Sequence, residues 1–532
     1  MKRILLILSL LPQITAVWAK KKPNVILIVT DDQAYETMHC WGGKVYTPNI
    51  DRLANEGMKF NRAYVASPIS AASRYSILSG RYCGRCEGEQ FLKRFPAGSS
   101  PRIDNTVMVL EKEKDNLPKL LQANGYKTGM VGKWHLGFHF EEINAAKRKV
   151  QWEKAGLQYY DIGDNPKLPE VKSKLEHNHN WYVQDIKRCG FDYVDNVYWG
   201  NLKEVYNDSL NYHNIDWTVK GALDFIDQAG DNPFFLYFST TLQHGPFPRN
   251  SVSKEKELVT GKGFASQKMG VLPDRETLTT RLEAQGIDKG QEYTLWLDDA
   301  VGAILSRLEE KGEADNTLII YISDHGISQK ASLYEGGVRT PMMVWWKNNV
   351  RKEGSVCSRL VHTTDFLPTI LEAAGVDIPD KQHFDGVSFI PLLSNPDQKW
   401  RSSLFSEIGW ARSVITEQYK YIAVRYPEVI RKKVERGLTV DEKKSIGYIT
   451  NQGLCSLGKQ NPNYFDFDQL YDMVADPYEL HNLARNNKNT AKLEEMKLLM
   501  KTYLQTFINR PFGELYDGVF LAPSMANSKS AK

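Results

Sequence analysis

Two short ionisable couples sit where apolar runs end. Asp31 and Asp32 follow Asn24 to Thr30 (NVILIVT), and Asp324 and His325 follow Thr317 to Ser323 (TLIIYIS). Adjacent carboxylates repel unless something neutralises them, and a hard divalent cation with oxygen ligands does so directly. Either couple alone reads as a solvated turn. Two couples at strand ends that one parallel sheet would bring together read as a cation site. A third group is Ser70-Ala71-Ala72-Ser73-Arg74-Tyr75-Ser76-Ile77-Leu78-Ser79-Gly80. On a helix Ser70 and Arg74 share a face, and a Ser70 near the N-terminus meets the free N–H groups and macrodipole that favour an anion. Taken alone, such a serine is an ordinary helix cap.

Positioning these groups requires strands that end together. Asn24 to Thr30 is a continuous apolar, β-branched run, as expected of a strand buried on both faces. Thr128 to Val131, Phe234 to Thr240 and Met342 to Trp346 share that character, with helical patterns between them at Leu117 to Asn124 and Tyr293 to Lys311. The alternation predicts an α/β fold: a large, mostly parallel or mixed sheet sandwiched by helices, with ligands beyond the carboxyl ends of its strands. Residues 138–216, rich in charge, Asn and aromatics such as Trp152, Tyr160, Trp181 and Trp199, break the rhythm and predict an insertion at the rim. After Asn395 the alternation stops. Strand-like Ser403 to Ile408, Tyr419 to Val424 and Gln469 to Met473, then a helical Ala491 to Ile508, predict a smaller antiparallel-sheet-plus-helix subdomain over 396–532, with a disordered tail from Ala522.

The chain has 532 residues, 42% hydrophobic and 25% charged, enough for a large core. Its 68 basic and 64 acidic residues give a formal charge of +4, too balanced to favour a nucleic-acid partner. A basic Met1-Lys2-Arg3, a short apolar segment and small residues ending at Ala19 predict a signal peptide over 1–19. It is too short to span a bilayer and no later segment replaces it, so the expectation is a protein passed to the export machinery and found in the periplasm or secreted, with its catalytic unit over 20–395. Cys40, Cys83, Cys86, Cys189, Cys357 and Cys455 allow more pairings than the sequence can choose among, with Cys83 and Cys86 either a local disulfide or two free thiols.

The stretch Ser70 to Gly80 resembles the signature of the sulfatase family, with Ala72 where the family usually has Pro. The resemblance runs on through Thr47-Pro48-Asn49-Ile50-Asp51-Arg52-Leu53-Ala54, Gly132-Lys133-Trp134-His135-Leu136-Gly137 and His244-Gly245-Pro246. It continues in Asp324-His325-Gly326, in Lys330 with Leu333-Tyr334-Glu335-Gly336-Gly337, and in Leu470-Tyr471-Asp472 with Asp476-Pro477 and Glu479. It covers nearly the whole mature chain and implies an alkaline-phosphatase-like fold and a sulfuric ester hydrolase.

By that resemblance Ser70 is the precursor of formylglycine, and being Ser rather than Cys it implies a bacterial, anaerobic-type maturase acting before export. Asp31, Asp32, Asp324 and His325, with the modified Ser70, match the ligands of one calcium ion; the family often has Asn in place of His325. Arg74, Lys133 and Lys330 match bases that bind the modified side chain and sulfate. His135 matches the base that ejects sulfate, and His244 with Lys330 the leaving-group side. His177 and His179 keep a structural reading. Unmodified serine would trap sulfate as a stable ester, whereas a geminal diol can release it by collapsing to aldehyde.

Substrate choice lies outside these motifs, in the 138–216 segment and the C-terminal subdomain, whose aromatic and basic residues suit a sulfated carbohydrate from glycosaminoglycan, mucin or algal glycan. The alternatives are a phosphate mono- or diesterase of the wider superfamily, which commonly needs two metals and more histidines, and an inert sugar-binding relative with unmodified Ser70.

Overall fold

The computed structural model describes residues 21–137, 144–246, 248–379, 383–447, 460–513 and 515. The expected signal peptide, the tail from Ala522 and Cys455 lie outside them. Eight strands form the main sheet: β1 (Asn24–Thr30), β2 (Met58–Phe60), β3 (Lys127–Lys133), β4 (Tyr193–Tyr198), β5 (Phe234–Ser239), β6 (Thr317–Ser323), β7 (Met342–Trp345) and β8 (Ser355–Cys357). Their order is β8-β2-β7-β6-β1-β5-β3-β4. All pair in parallel except β7, which runs against both β6 and β2.

Every residue of β1, β5 and β6 is buried, which is why their sequences are unbroken apolar runs. Alternate side chains face opposite ways. Val25, Leu27 and Val29 pack on the side of the Ser70–Ser79 helix, while Ile26 and Ile28 pack against the helices Ile215–Ala229 and Glu292–Glu310.

The 138–216 segment is more than an insertion. It contains the helices Ala145–Ala155 and Pro169–Lys187, but it also supplies β4, the edge strand of the main sheet, paired in parallel with β3. Asp195 and Asn196 inside β4 interrupt its apolar pattern, as an edge strand permits.

A second sheet holds β9 (Ser403–Ile408), β10 (Ala411–Thr416), β11 (Tyr419–Val424) and β12 (Asp468–Asp472), antiparallel in that order. The helix Thr490–Leu504 lays Leu493, Met496 and Met500 on Phe405, Val414, Tyr421 and Leu470. Cys40, Cys83, Cys86, Cys189 and Cys357 are free thiols, and Cys83 and Cys86 point at the carbonyls of Ala72 and Val109 rather than at each other. Among the described residues no helix is long and apolar enough to cross a membrane.

Candidate active site

Strand register assembles the site. β1 and β6 pair with Thr30 opposite Ser323, so Asp31 and Asp324 leave the sheet side by side, and the Asp324 N–H donates to the Thr30 carbonyl at 2.9 Å. β3 and β5 pair with Gly132 opposite Ser239, which delivers Lys133 to the same edge. Gly132 has φ 89°, and a Cβ there would lie 1.8 Å from the Ser239 carbonyl oxygen, so only glycine permits this approach. Asp32 and His135 also sit in the left-handed region, at φ 56° and 58°, a conformation that non-glycine residues keep where the surroundings enforce it.

The Ser70–Ser79 helix is buried along its whole length, which explains its run of small residues, and it points its N-terminus at this edge. Ser70 Oγ lies 3.4 Å from Asp31 Oδ1 and 3.4 Å from His325 Nε2. One turn on, the fully buried Arg74 donates to Asp324 Oδ2 at 3.2 Å and to Ser239 Oγ. Lys133 Nζ donates to Asp31 Oδ2 at 2.5 Å and to Asn201 Oδ1 at 2.8 Å. Lys330 Nζ donates to both oxygens of Asp32 at 2.8 Å. His244 Nε2 stands 3.8 Å from Asp32 Oδ2. His135 joins through a neighbour: its Nε2 is 3.9 Å from Glu204 Oε1, which accepts from the same Asn201 that receives Lys133.

Burial alone would raise the carboxyl of Asp31, yet Lys133, His244, Arg74 and Lys330 hold it well below the usual carboxylate range. Asp32 is likewise held low against its burial, chiefly by His325 and Lys330. Burial lowers the Lys133 ammonium in spite of Asp31, whereas Asp32 and Asp31 raise that of Lys330.

Asp32, Asp324 and His325 place one potential ligand atom each within 4.8 Å of one another, and Asp31 stands beside them. The His325 Nδ1 proton goes to the Gly326 carbonyl at 3.0 Å, since a carbonyl only accepts. The His325 Nε2 faces Asp32 Oδ1 at 3.3 Å and Asp324 Oδ1 at 3.7 Å, where a cation would take the place of a proton on Nε2. Carboxylate oxygens and an imidazole nitrogen converging in a buried site suit one hard ion. Among the described residues this is the one such cluster, where a two-metal esterase would need a second. Three carboxylates against Arg74, Lys133 and Lys330 sum to zero, so a divalent ion would turn the site positive and ready for an anionic ester.

All ten sequence-predicted site residues therefore meet, His135 through Asn201 and Glu204. His177 binds the Gly156 carbonyl at 2.9 Å, and His179 packs on Trp217, so neither joins the site. Four residues went unnoticed in the sequence: Asn201, Glu204, Ser239 and His213. His213 is fully buried; its Nε2 donates to the carbonyls of His244 and Pro246 at 2.9 and 3.1 Å while Nδ1 accepts from Thr241. Burial pushes it down to about 4, so it stays neutral and holds the His244 loop. Ser239 could have been found as the polar end of an apolar strand. The other three carry no spacing signal.

An α/β protein whose sheet edge gathers a serine, a cation-ready acidic cluster and three bases is built to handle a tetrahedral oxyanion ester. A model of the Sulfatase family matches residues 23–376, two-thirds of the chain, and the protein belongs to that family of sulfuric ester hydrolases. It is 26% identical to an N-acetylglucosamine-6-O-sulfatase of Bacteroides thetaiotaomicron, over 92% of this chain and 88% of the relative. It is 27% identical to an ulvan-active sulfatase of Formosa agariphila, over 88% and 76%. It is also 27% identical to the N-acetylgalactosamine-6-sulfatase of Mus musculus, over 79% and 75%. In fold it resembles a protein solved with its substrate D-glucosamine-2-N,6-O-disulfate, with a TM-score of 0.56, 20% identity and coverage of 92% and 98%. A structure holding a neocarrahexaose matches with a TM-score of 0.56, 23% identity and coverage of 93% and 95%.

Proposed function

We propose that the protein hydrolyses sulfate esters on a sulfated carbohydrate, a glycosaminoglycan, mucin or algal glycan, using formylglycine made from Ser70 beside one calcium ion. The observation that carries this reading is the placement of Ser70 Oγ at a helix N-terminus, 3.4 Å from both Asp31 and His325 and one helical turn from Arg74. The carbohydrate is supported by the relatives, whose names specify amino-sugar and ulvan sulfates.

Asp31, Asp32, Asp324 and His325 would hold the ion, which supplies charge that offsets the carboxylates and draws a sulfate oxygen. Formylglycine at Ser70 would supply a geminal diol, with one hydroxyl as nucleophile toward sulfur and a second whose proton loss permits release of sulfate with return of the aldehyde. Arg74 and Lys133 orient that side chain and meet the charge that develops on sulfate, the interaction that lowers the barrier most. His135, steadied by Glu204, takes the proton of the second hydroxyl. His244, on the loop that His213 holds, and Lys330 lie on the leaving-group side, where the sugar oxygen gains a proton or a hydrogen bond. Maturation would be by an anaerobic-type maturase, followed by export to the periplasm or beyond.

The reading is tested by sulfate release from 6-sulfated N-acetylhexosamines and sulfated algal oligosaccharides, before and after chelation. Loss on chelation and recovery with calcium is the expected result. Turnover indifferent to the chelator, or confined to simple aryl sulfates, contradicts it.

A further inference from the structure

The stretch around Glu335 and the distant Glu479 belong to motifs that the chemistry above does not use. They meet at Lys420, the second residue of β11. Lys420 Nζ is fully buried and donates to Glu335 Oε1 at 2.8 Å and to Glu479 Oε1 at 2.7 Å. The other oxygen of Glu479 accepts the backbone N–H of Glu335 at 2.7 Å, and the other oxygen of Glu335 accepts from the Tyr64 hydroxyl at 3.2 Å. Glu479 is itself fully buried and sits at φ 57°, in the left-handed region. Removing three charges from water is costly, and apolar residues of similar volume usually hold a fold as well. What the triad adds is geometry.

That geometry leads to Lys330. Gly336, next to Glu335, donates to Gln329 Oε1 at 3.1 Å, and its carbonyl accepts from the Gln329 N–H at 3.0 Å. A Cβ on Gly337 would lie 2.6 Å from the Gln329 carbonyl oxygen, so the two stretches touch at backbone distance. Gln329 precedes Lys330, and the next N–H, that of Ala331, donates to the Pro68 carbonyl at 3.0 Å, close to Ser70 in the chain. The Lys330 side chain is long and 29% exposed, so beyond its ion pair with Asp32 its place depends on where its backbone is held.

We propose that the Glu335–Lys420–Glu479 triad is a positioning device through which the C-terminal sheet fixes the Lys330 loop, and with it the ammonium that faces Asp32. Lys420 and Glu479 touch no substrate; they act through Glu335, Gly336 and Gln329. The kinetic side of the proposal rests on the role given to Lys330 above, while its structural side does not.

Two readouts test it on the full-length matured enzyme, with Lys420→Met and the gentler Glu479→Gln, which keeps an acceptor for the Glu335 N–H. The first is labelling of Lys330 by an amine-acylating reagent, followed by mass spectrometry. Released from its place against Asp32 the amine is more open to the reagent, so labelling should rise severalfold in Lys420→Met and return toward wild type in Lys420→Arg. Unchanged labelling overturns the proposal. The second is a double-mutant cycle with Lys330→Ala. Lys420→Met should lower kcat by about 10-fold with KM nearly unchanged, yet lower it by less than about 2-fold once Lys330 is gone. Losses that simply multiply indicate a merely structural triad and overturn it. If Lys420→Met fails to fold, Glu479→Gln carries both measurements. A wild type inactive on every sulfated sugar overturns the functional reading, and labelling then decides the positioning claim.

Discussion

In the proposed reading Ser70 contributes chemistry far more than it contributes to the fold. Its hydroxyl contacts, both 3.4 Å, lie at the outer limit of hydrogen bonding, and the helix it begins is held by buried neighbours on every side. Ser70→Ala should therefore abolish sulfate release while the thermal midpoint stays near that of wild type; residual turnover would remove Ser70 from the attacking role. Arg74 is the contrasting case. It is fully buried and donates to Asp324, so Arg74→Met strands that carboxylate, while Asp31 keeps Lys133. Breaking such a buried pair costs about 3–5 kcal/mol. In protein that still folds, kcat should fall by roughly 10²- to 10³-fold. Denaturant unfolding alongside the kinetics separates the two effects, and a variant of wild-type stability and rate would contradict both.

Strands, more than loops, decide where the site forms. The approach of β3 to β5 depends on Gly132, where a methyl group would strike the Ser239 carbonyl. Gly132→Ala should displace Lys133 and cost both stability and at least about 10-fold in kcat, since a misplacement of about 1 Å is enough for such losses; a soluble, fully active variant would show that the register tolerates the clash. β1 and β6 were legible because burial on both faces makes them nearly unbroken apolar runs, and β1, β6, β9 and β11 begin and end where their sequences say. Composition does not encode direction, and β7, as apolar as its neighbours, runs against them. Strand β10 was missed because Arg412 and Ser413 break its pattern, although Arg412 is buried and pairs with Glu407 across the hairpin. The site was legible where its residues end strands or fall in the family's motifs. Asn201, Glu204 and His213 were not, because each works alone, through a partner that only the fold brings near.

At the scale of the whole molecule, the two sheets meet at a seam where Tyr82 packs against His362 on one side and against Phe405, Tyr503 and Phe507 on the other. Burial, reinforced by Arg401, pushes His362 from 6.5 down to about 3. The unfolded chain thus takes up a proton at this position that the folded one refuses, and the contribution of His362 is present above pH 6.5 and lost as pH falls toward 3. His362→Gln lacks this liability. Its stability deficit relative to wild type should shrink by about 1.4 kcal/mol for each pH unit of acidification below 6.5, measured by denaturant unfolding. A deficit independent of pH would mean that His362 is not held neutral. The same seam joins the subdomain that carries Lys420 to the half of the chain that carries Ser70 in one molecule. Its chemistry still turns on one side chain, and the mass of the peptide containing Ser70, from protein made in a host with the maturase, reads it directly. The expected peptide is two hydrogens lighter than serine predicts; an unaltered serine in protein that releases sulfate would contradict the formylglycine mechanism at its root.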